Sequence, residues 1–208
     1  MDARVRELLS EYERRSAEEW KLMSTLSNAE IGKRIDEFLI SVGPDTGQLL
    51  HALVRSQKAK CVVELGCSYG YSTVWLADAV RETGGKLHSY ELSADKIAFT
   101  RGKLATVGLD SFVEFHPGDA LQNLPQLAGP IDLALIDCWK DLYLACFDLV
   151  HPKLSPQGTV VADNMIFPPD ARPEAARYQR HVRATKGIES VTLPIGSGID
   201  VSRKQPLS

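Results

Sequence analysis

The sequence has little net charge, no long apolar run and no recognisable targeting segment. Lysine and arginine total 24 against 27 acidic residues, which gives a formal net charge of −3. This balance provides no overall electrostatic footprint for nucleic acid or for an anionic membrane. No stretch reaches the ~18 apolar residues that a membrane span needs, and the N-terminus lacks the apolar core of a secretory signal. We therefore expect a globular cytoplasmic protein that does not bind a membrane; the charge balance also disfavours nucleic acid as a partner, although a local basic face stays open.

Residues that often build zinc or redox sites are scattered. The cysteines form no Cys-x-x-Cys pair, which disfavours a zinc or disulfide-exchange motif and favours free thiols in a reducing compartment. They are Cys61, Cys67, Cys138 and Cys146. The histidines show no metal-ligand spacing either, and we predict no functional role for them. They are His51, His88, His116, His151 and His181.

The apolar pattern predicts one α/β domain over residues 1–208, which is long enough for a sizeable core. Residues 1–40 have a helical pattern, and we expect a helical N-terminal cap on a core of residues 41–208. Short apolar runs then alternate with helical patterns, as in a mostly parallel, doubly wound sheet. The predicted strands are 61–65, 87–90, 112–115, 131–136 and 159–162. Two β-rich runs around Gly196-Ser197-Gly198 predict a closing antiparallel hairpin.

An acidic residue lies in or shortly after each of these predicted strands. The acids are Glu64, Glu91, Asp119, Asp137 and Asp163. Open α/β sheets bind ligands outside the carboxyl ends of their strands. We therefore expect the acids to lie along one edge of the sheet, and we predict that this edge forms the ligand site.

The stretch "VVELGCSYGYS", residues 62–72, follows the first predicted strand and opens a helix. Gly66 and Gly70 would let a ligand approach the backbone, and the helix N-terminus would offer N–H groups to a carboxylate or phosphate. The stretch lacks the G-x-G-x-x-G dinucleotide fingerprint, and an ordinary strand-to-helix turn has a similar composition. Glu91, at the end of the second predicted strand, could accept hydrogen bonds from the ribose hydroxyls of a nucleoside.

The same stretch allows a second class of enzyme. Gly66-x-Ser68-x-Gly70 has the form of a nucleophile elbow, and Asp163 and His181 would complete a hydrolase triad in chain order. However, the elbow would follow the first strand, so no earlier strand is available to build the oxyanion loop. A serine hydrolase is therefore the less favoured alternative.

Asp137, Asp163 and Asn164 place oxygen donors after two strands that we expect to be neighbours. Hard cations such as Mg²⁺ prefer oxygen ligands and often take only a few of them from protein, so these residues predict a divalent cation site. Lys140 follows Asp137 closely, and a nearby cation would lower the lysine pKa and make it a general base. The ordinary alternatives are a surface position for Lys140 and core packing for Trp139.

Several segments, in order along the chain, resemble the cation-dependent, S-adenosylmethionine-using O-methyltransferases of the catechol and caffeoyl-coenzyme A type. They are "SVGPDTGQLL", "VVELGCSYGYS", "SYELS", "PGDA", "LIDCWKDLY", "GTVVADNMIFP" and "LPIGSGIDVSRK". The combination of Asp-x-Trp-Lys with Asp-Asn is the most specific of them. The resemblance covers residues 41–204. It implies a Rossmann-like class I methyltransferase fold with a seven-stranded, mostly parallel sheet, helices on both faces, an antiparallel C-terminal hairpin and a homodimer.

The resemblance also implies roles for individual residues. The predicted contacts of S-adenosylmethionine are Val42, Gly66, Tyr71 and Ser72 at its methionine end, Glu64 near its amine, Glu91 at its ribose, Asp119 and Ala120 at its adenine, Trp139 packed on the adenine, and Ser68 and Asp137. Mg²⁺, or another divalent cation such as Mn²⁺ or Ca²⁺, would be bound by Asp137, Asp163 and Asn164, with Lys140 as the catalytic base. The predicted substrate contacts are Phe38, Ile40, Lys140, Asn164 and Pro168.

The reaction implied is Mg²⁺-dependent methyl transfer to a hydroxyl of a small aromatic vicinal diol. Some relatives with this fold methylate a hydroxylated wobble uridine in transfer RNA, and this alternative stays open although phosphate contacts require Lys and Arg. The catechol enzymes also place a further acid late in the chain, near the second substrate hydroxyl. Glu174 and Glu189 are candidates for that acid, but no motif supports either.

Overall fold

One seven-stranded sheet organises the structure, a computed structural model that describes residues 1–205 apart from the side chain of Asn28. Its strands are β1 (Cys61–Leu65), β2 (Lys86–Glu91), β3 (Val113–Pro117), β4 (Ile131–Ile136), β5 (Leu154–Ala162), β6 (Ile188–Leu193) and β7 (Ile199–Lys204). Their order across the sheet is β3-β2-β1-β4-β5-β7-β6. Strands β1 to β5 are parallel, and β7 is antiparallel to β5 and β6. The predicted fold class is therefore confirmed.

The helices connect successive strands or precede the sheet. They are α1 (Ala3–Met23), α2 (Asn28–Arg34), α3 (Pro44–Ser56), α4 (Tyr71–Thr83), α5 (Ala94–Thr106), α6 (Ala120–Asn123), α7 (Tyr143–Val150) and α8 (Arg172–Ala184). A search of the helices in residues 1–205 finds none with the length and hydropathy required to cross a bilayer.

Helices cover both faces of the sheet because successive strand residues point to opposite sides. Val62 and its partner Leu133 belong to a buried cluster that contains residues of α1, α3 and α4. Val63 and its partner Ala134 belong to a second cluster, with residues of α7 and α8. A strand that is buried on both faces has a continuous apolar sequence, which explains why the two central strands were recognisable.

The N-terminal helix α1 packs against α4 through one apolar stripe. The buried residues of the stripe include Val5, Leu8, Leu9 and Tyr12. The Tyr12 hydroxyl donates a hydrogen bond of 2.6 Å to the carbonyl oxygen of Tyr69, which lies in the turn between β1 and α4. The N-terminal helix therefore supports the glycine-containing turn directly.

Strand β5 begins at Leu154, well before the predicted start at residue 159. Pro156 and Gly158 have the composition of a turn, and they lie in a bulge of the strand, because Ile131 of β4 pairs with Leu154 whereas Leu133 pairs with Thr159. A Cβ on Gly158 would lie 2.7 Å from the carbonyl oxygen of Ile131. Glycine at this position therefore permits the close approach of the two strands.

Candidate active site

The candidate site lies between β1 and β4, where the strand order of the sheet reverses. Strands β2 and β3 lie on one side and β5 on the other, and open α/β sheets bind ligands at such a switch point. Gly66 follows β1, and Asp137 follows β4. Gly66 has a φ of +93°, and a Cβ on it would lie 2.2 Å from the Asp137 carbonyl oxygen. Only glycine fits this approach without strain.

Several residues predicted to contact the cofactor or the substrate line one narrow crevice at this point. The predicted residues in its lining are Ile40, Val42, Ser68, Tyr71, Ser72 and Asp137. Tyr71 and Ser72 are the first residues of α4, a helix of 13 residues. The crevice therefore lies at a helix N-terminus, where backbone N–H groups favour a carboxylate.

Glu64 connects the crevice to the interior of the sheet. Its side chain is completely buried in β1. Its carboxylate accepts hydrogen bonds from the hydroxyls of Ser72 at 2.6 Å, Thr73 at 2.8 Å and Ser89 at 2.6 Å. Burial raises the pKa of Glu64 to about 7, although the three hydroxyl donors favour the ionised form. A cation at the crevice would shift this balance towards the carboxylate.

Glu91, predicted to bind ribose, closes β2 and holds the glycine-containing turn. One carboxylate oxygen accepts a hydrogen bond from the backbone N–H of Ser68 at 2.9 Å, and the other accepts one from the N–H of Ser93 at 3.0 Å. Each oxygen retains a further lone pair for a ligand hydroxyl. The acid therefore joins the ends of β1 and β2 beside the crevice.

Asp119 and Ala120, predicted to meet adenine, lie at the next strand end. The N–H of Gly118 donates to the carbonyl oxygen of Glu91 at 2.9 Å, which links the end of β3 to the end of β2. The Asp119 carboxylate accepts a hydrogen bond from the N–H of Leu121 at 2.8 Å and caps α6, whose first residue is Ala120. The predicted ribose and adenine contacts thus lie at neighbouring strand ends.

The predicted metal ligands and base come together after β4 and β5. These strands are adjacent, and the N–H of Asp163 donates to the carbonyl oxygen of Ile136 at 3.2 Å. The Lys140 amine donates to the backbone carbonyl of Asp163 at 2.7 Å and lies 3.5 Å from the side-chain oxygen of Asn164. Asn164 has a φ of +55°, a conformation that asparagine tolerates better than most residues.

The charges at this cluster fit a divalent cation. Asp163 is 1% exposed, and its Oδ1 atom has no hydrogen-bond partner within residues 1–205. Burial, followed by the charge of Asp137, raises the pKa of Asp163, and burial also raises the pKa of Asp137. A buried carboxylate oxygen without a partner is costly. A hard cation bound by the two carboxylates and the Asn164 amide would remove this cost.

The environments of Lys140 and Trp139 do not match the ordinary alternatives, which were a surface lysine and a tryptophan packed in the core. Burial lowers the pKa of Lys140 to about 8, although Asp137 and Asp163 act in the opposite direction. The Lys140 amine also lies 3.6 Å from the ring centre of Tyr143, so a plain surface position is wrong. Trp139 is 58% exposed, so core packing is wrong for it as well.

An aromatic pair that the sequence analysis missed lies near the predicted substrate residues. The rings of Trp20, in α1, and Phe167, after β5, have centroids 6.3 Å apart. Trp20 is 51% and Phe167 47% exposed, and the predicted Ile40 is exposed as well. Pro168 is exposed beside Phe167, whereas Phe38 is buried. The one sequence signal for this surface is an isolated tryptophan in the charged stretch "AEEWKLM".

The loop that carries Phe167 is fastened to the turn of the C-terminal hairpin. The N–H of Met165 donates to the carbonyl oxygen of Gly198 at 2.8 Å. The N–H groups of Ile166 and Phe167 donate to the carbonyl oxygen of Ser197 at 2.9 and 3.0 Å. A Cβ on Gly198 would lie 2.4 Å from the side chain of Ile166. The hairpin turn therefore fixes the position of this loop.

Neither acid suggested for the late part of the chain has a distinguishing environment. Glu174 and Glu189 are both exposed, on α8 and β6. The late acid in register with the site is Asp200, which pairs with Ala162 at the end of β5. The buried Asp200 carboxylate accepts hydrogen bonds from Ser190, Thr192 and Ser202.

The structure contradicts the hydrolase triad. The His181 imidazole lies 2.6 Å from the carboxylate of Asp148 in α7, and its partner is therefore not Asp163. Asp163 instead contacts Lys140 through its backbone carbonyl. Within residues 1–205, the lining of the crevice that contains Ser68 includes no histidine, the usual general base for a nucleophilic serine.

Comparison with known proteins shows what the chain resembles. Residues 63–165 match a family model described as a methyltransferase domain. The chain is 36% identical over 149 residues to the catechol O-methyltransferase of Niastella koreensis, a match that covers 70% of this chain and 65% of that protein. It is 27% identical over 189 residues to caffeoyl-CoA O-methyltransferase 5 of Nicotiana tabacum, with 80% and 78% covered.

The fold is shared with a solved O-methyltransferase from Bacillus cereus in complex with SAH. The TM-score is 0.76 at 23% identity, and the match covers 99% of this chain and 92% of the other. The chain spans only 65%, 56% and 66% of the length of the first curated relatives it matches, the catechol O-methyltransferases of N. koreensis, mouse and cattle. In its sequence and its fold, the chain is therefore similar to the cation-dependent S-adenosylmethionine O-methyltransferases, which include the catechol and caffeoyl-CoA O-methyltransferases.

Proposed function

We propose that the protein transfers a methyl group from S-adenosylmethionine to a hydroxyl of a small aromatic vicinal diol and requires a divalent cation. The observation that carries this proposal is the cluster of Lys140, Asp137, Asp163 and Asn164 at the switch point, with a buried carboxylate oxygen lacking a partner within residues 1–205. The catechol O-methyltransferase relatives support the same type of acceptor.

The crevice and the neighbouring strand ends would hold the cofactor. When bound, S-adenosylmethionine supplies a methyl group on a positively charged sulfur, which leaves as a neutral thioether. Glu64 would favour the ammonium group of the cofactor, and Glu91 would accept hydrogen bonds from its ribose. The remaining proposed contacts are Val42, Gly66, Ser68, Tyr71, Ser72, Asp119, Ala120, Asp137 and Trp139.

Asp137, Asp163 and Asn164 would hold Mg²⁺, with Mn²⁺ or Ca²⁺ as other candidates. When bound, the cation lowers the pKa of a hydroxyl that it contacts and orients two neighbouring oxygens. A vicinal diol suits such a site because both of its oxygens can reach one ion.

Lys140 would take the proton of the reacting hydroxyl. A neutral amine can donate an N–H to the carbonyl oxygen of Asp163 and still offer its lone pair to a proton. Burial lowers the pKa of Lys140 to about 8, which favours this neutral form. Lys140 Nζ would hold the proton that the hydroxyl loses, while the bound cofactor would supply the methyl group to the acceptor oxygen.

The acceptor would lie against the apolar surface formed by Trp20, Phe167, Ile40 and Pro168. Aromatic rings pack favourably against other aromatic side chains, and Trp20 and Phe167 are both partly exposed. Phe38 is buried and would therefore offer little surface to the acceptor. Such a wall suits a flat phenolic ring better than a flexible aliphatic alcohol.

The test is methyl transfer from S-adenosylmethionine to catechol, measured with Mg²⁺, with a chelator, and after Mg²⁺ is restored. We expect turnover that the chelator abolishes and Mg²⁺ alone restores. Turnover that is insensitive to the chelator would contradict the cation requirement. Cofactor binding without turnover of any catechol would contradict the acceptor class, and the next substrates would then be coenzyme A esters and transfer RNA.

Variants of the cluster test the assigned roles. A general base contributes about 10²–10⁴-fold to rate, so Lys140→Ala should lose activity by that factor and keep its affinity for the cofactor. Lys186→Ala, which removes an exposed lysine, is the matched control. Asp163→Asn should raise the Mg²⁺ concentration needed for activity. Full activity of Lys140→Ala, or unchanged Mg²⁺ dependence of Asp163→Asn, would refute the corresponding role.

We also propose that the protein is a homodimer of the cytoplasm. Sedimentation analysis of the purified protein tests the first proposal, and cell fractionation tests the second. Methylation of transfer RNA is the alternative activity, for which the net charge of −3 offers few phosphate contacts. Tight, salt-sensitive binding of transfer RNA would favour it.

A further inference from the structure

Two histidines and a glutamate that are far apart in sequence meet on one face of the sheet. In β2 and β3, His88 pairs in register with Glu114, and Tyr90 pairs with His116. Side chains two residues apart in a strand point to the same face, so all four side chains project to the same side. The expectation that the histidines have no role rested on their spacing along the chain, which does not reveal this pairing.

The three candidate ligand atoms have the separations that a zinc ion needs. The His88 Nδ1 atom lies 3.2 Å from His116 Nε2; Glu114 approaches His88 through Oε2, at 3.7 Å, and His116 through Oε1, at 3.8 Å. Zn²⁺ binds imidazole and carboxylate at about 2.0–2.2 Å, so tetrahedral ligands lie about 3.3–3.6 Å apart. The Glu114 side chain is 55% exposed and is therefore able to move the small remaining distance.

The three candidate ligands face an open cleft. The three residues line a cleft of about 550 Å³ together with Tyr90. Tyr90 is 1% exposed, and its hydroxyl has no hydrogen-bond partner within residues 1–205. The Tyr90 ring stacks on His116, with centroids 4.4 Å apart. Tyr90 therefore forms a buried aromatic wall of the cleft behind His116.

A second group of potential ligands, His51, Asp78 and Glu82, has a different environment. Its carboxylates already pair with cations, because Arg81 contacts Asp78 and Arg55 lies 2.6 Å from Glu82. In residues 1–205, by contrast, the ion pairs of Glu114 involve only His88 and His116. A metal ion would meet no competing Lys or Arg in a salt bridge with this carboxylate.

We propose that His88, Glu114 and His116 bind Zn²⁺ with a fourth position open to water or a small ligand, at a site separate from the methyl-transfer centre. Imidazole and carboxylate together suit zinc, whereas Mg²⁺ prefers oxygen ligands alone. The site lies between the outer strands β2 and β3, away from the junction of β1 and β4. It goes beyond the proposed methyl transfer and does not depend on it.

The test is a calorimetric titration of metal-stripped protein with Zn²⁺, in millimolar Mg²⁺ so that the oxygen-ligand site is occupied. We expect one equivalent of Zn²⁺ to bind tightly. Loss of a residue that merely supports a metal ligand costs about 10–100-fold in affinity, so His116→Gln or His88→Gln should cost at least ~100-fold. Cobalt(II) added instead should give the visible absorption of a tetrahedral centre.

Two further variants keep the test decisive. Glu114→Gln changes an exposed side chain and leaves the core intact, so it should weaken Zn²⁺ binding even where a histidine variant fails to fold. His181→Gln removes a histidine that also pairs with a carboxylate, that of Asp148, and should leave Zn²⁺ affinity unchanged. Absence of Zn²⁺ binding in the unaltered protein, or equal binding in the Glu114, His116 and His181 variants, would overturn the proposal.

Discussion

The close contact between the ends of β1 and β4 makes the effect of Gly66→Ala calculable. The new Cβ would lie 2.2 Å from the Asp137 carbonyl oxygen, so one of the two strand ends would have to move by roughly 1 Å to restore an ordinary contact. A left-handed φ costs an L-residue about 1–2 kcal/mol, and overpacking typically adds about 1–3 kcal/mol. We expect Gly66→Ala to lower the free energy of unfolding by roughly 2–5 kcal/mol.

A matched variant separates the clash from the backbone strain. Gly108 also has a positive φ, +71°, but a Cβ there would meet nothing within 4 Å. Gly108→Ala should therefore show the conformational cost alone. Urea unfolding measures the difference in stability between the variants, and calorimetry measures their affinity for S-adenosylmethionine, which should fall only for Gly66→Ala. Equal losses of stability in both variants, with cofactor affinity unchanged, would refute this account of the strand junction.

Two further variants probe groups that support the crevice. Burial raises the pKa of Glu64 from 4.5 to about 7 in the folded state. As the pH rises, the unfolded state therefore loses this proton before the folded state does. The free energy of unfolding should fall by roughly 3 kcal/mol between these two pH values. In urea unfolding without cofactor, Glu64→Gln should gain stability relative to the unaltered protein as the pH rises from 4.5 to 7; a difference that does not change with pH would contradict this. Tyr12→Phe removes the hydrogen bond to Tyr69 and should cost about 0.5–1.5 kcal/mol, together with some cofactor affinity; unchanged values of both would show that α1 does not support the turn.

Local sequence patterns were sufficient to predict most of the sheet. Strands β1 and β4 have the predicted bounds, Cys61–Leu65 and Ile131–Ile136, because both faces of each are buried and the apolar run is continuous. The start of β5 was not predictable, because Pro156 and Gly158 favour a turn and the bulge against β4 that accommodates them depends on pairing between distant residues.

In the candidate site, too, local patterns were predictable and contacts between distant residues were not. Asp137, Asp163 and Lys140 could be placed together in advance because parallel strands end at one edge of the sheet. The contact between Trp20 and Phe167 and the meeting of His88 with His116 could not. Each of these contacts depends on tertiary packing or strand register, and neither has a signature in neighbouring residues.

The hydrogen bonds from Met165, Ile166 and Phe167 to the hairpin turn matter when the loop is replaced by that of a related enzyme in order to change the preferred acceptor. The loop of residues 165–168 and the hairpin turn of residues 195–198 are separated along the chain, but these hydrogen bonds hold them in one fixed arrangement. A graft of residues 163–168 alone would place foreign side chains on a turn shaped for Ile166. A graft that also carries residues 195–198 would transfer Phe167 and Pro168 together with the turn that holds them, so this part of the proposed acceptor surface has to be exchanged as two segments rather than one.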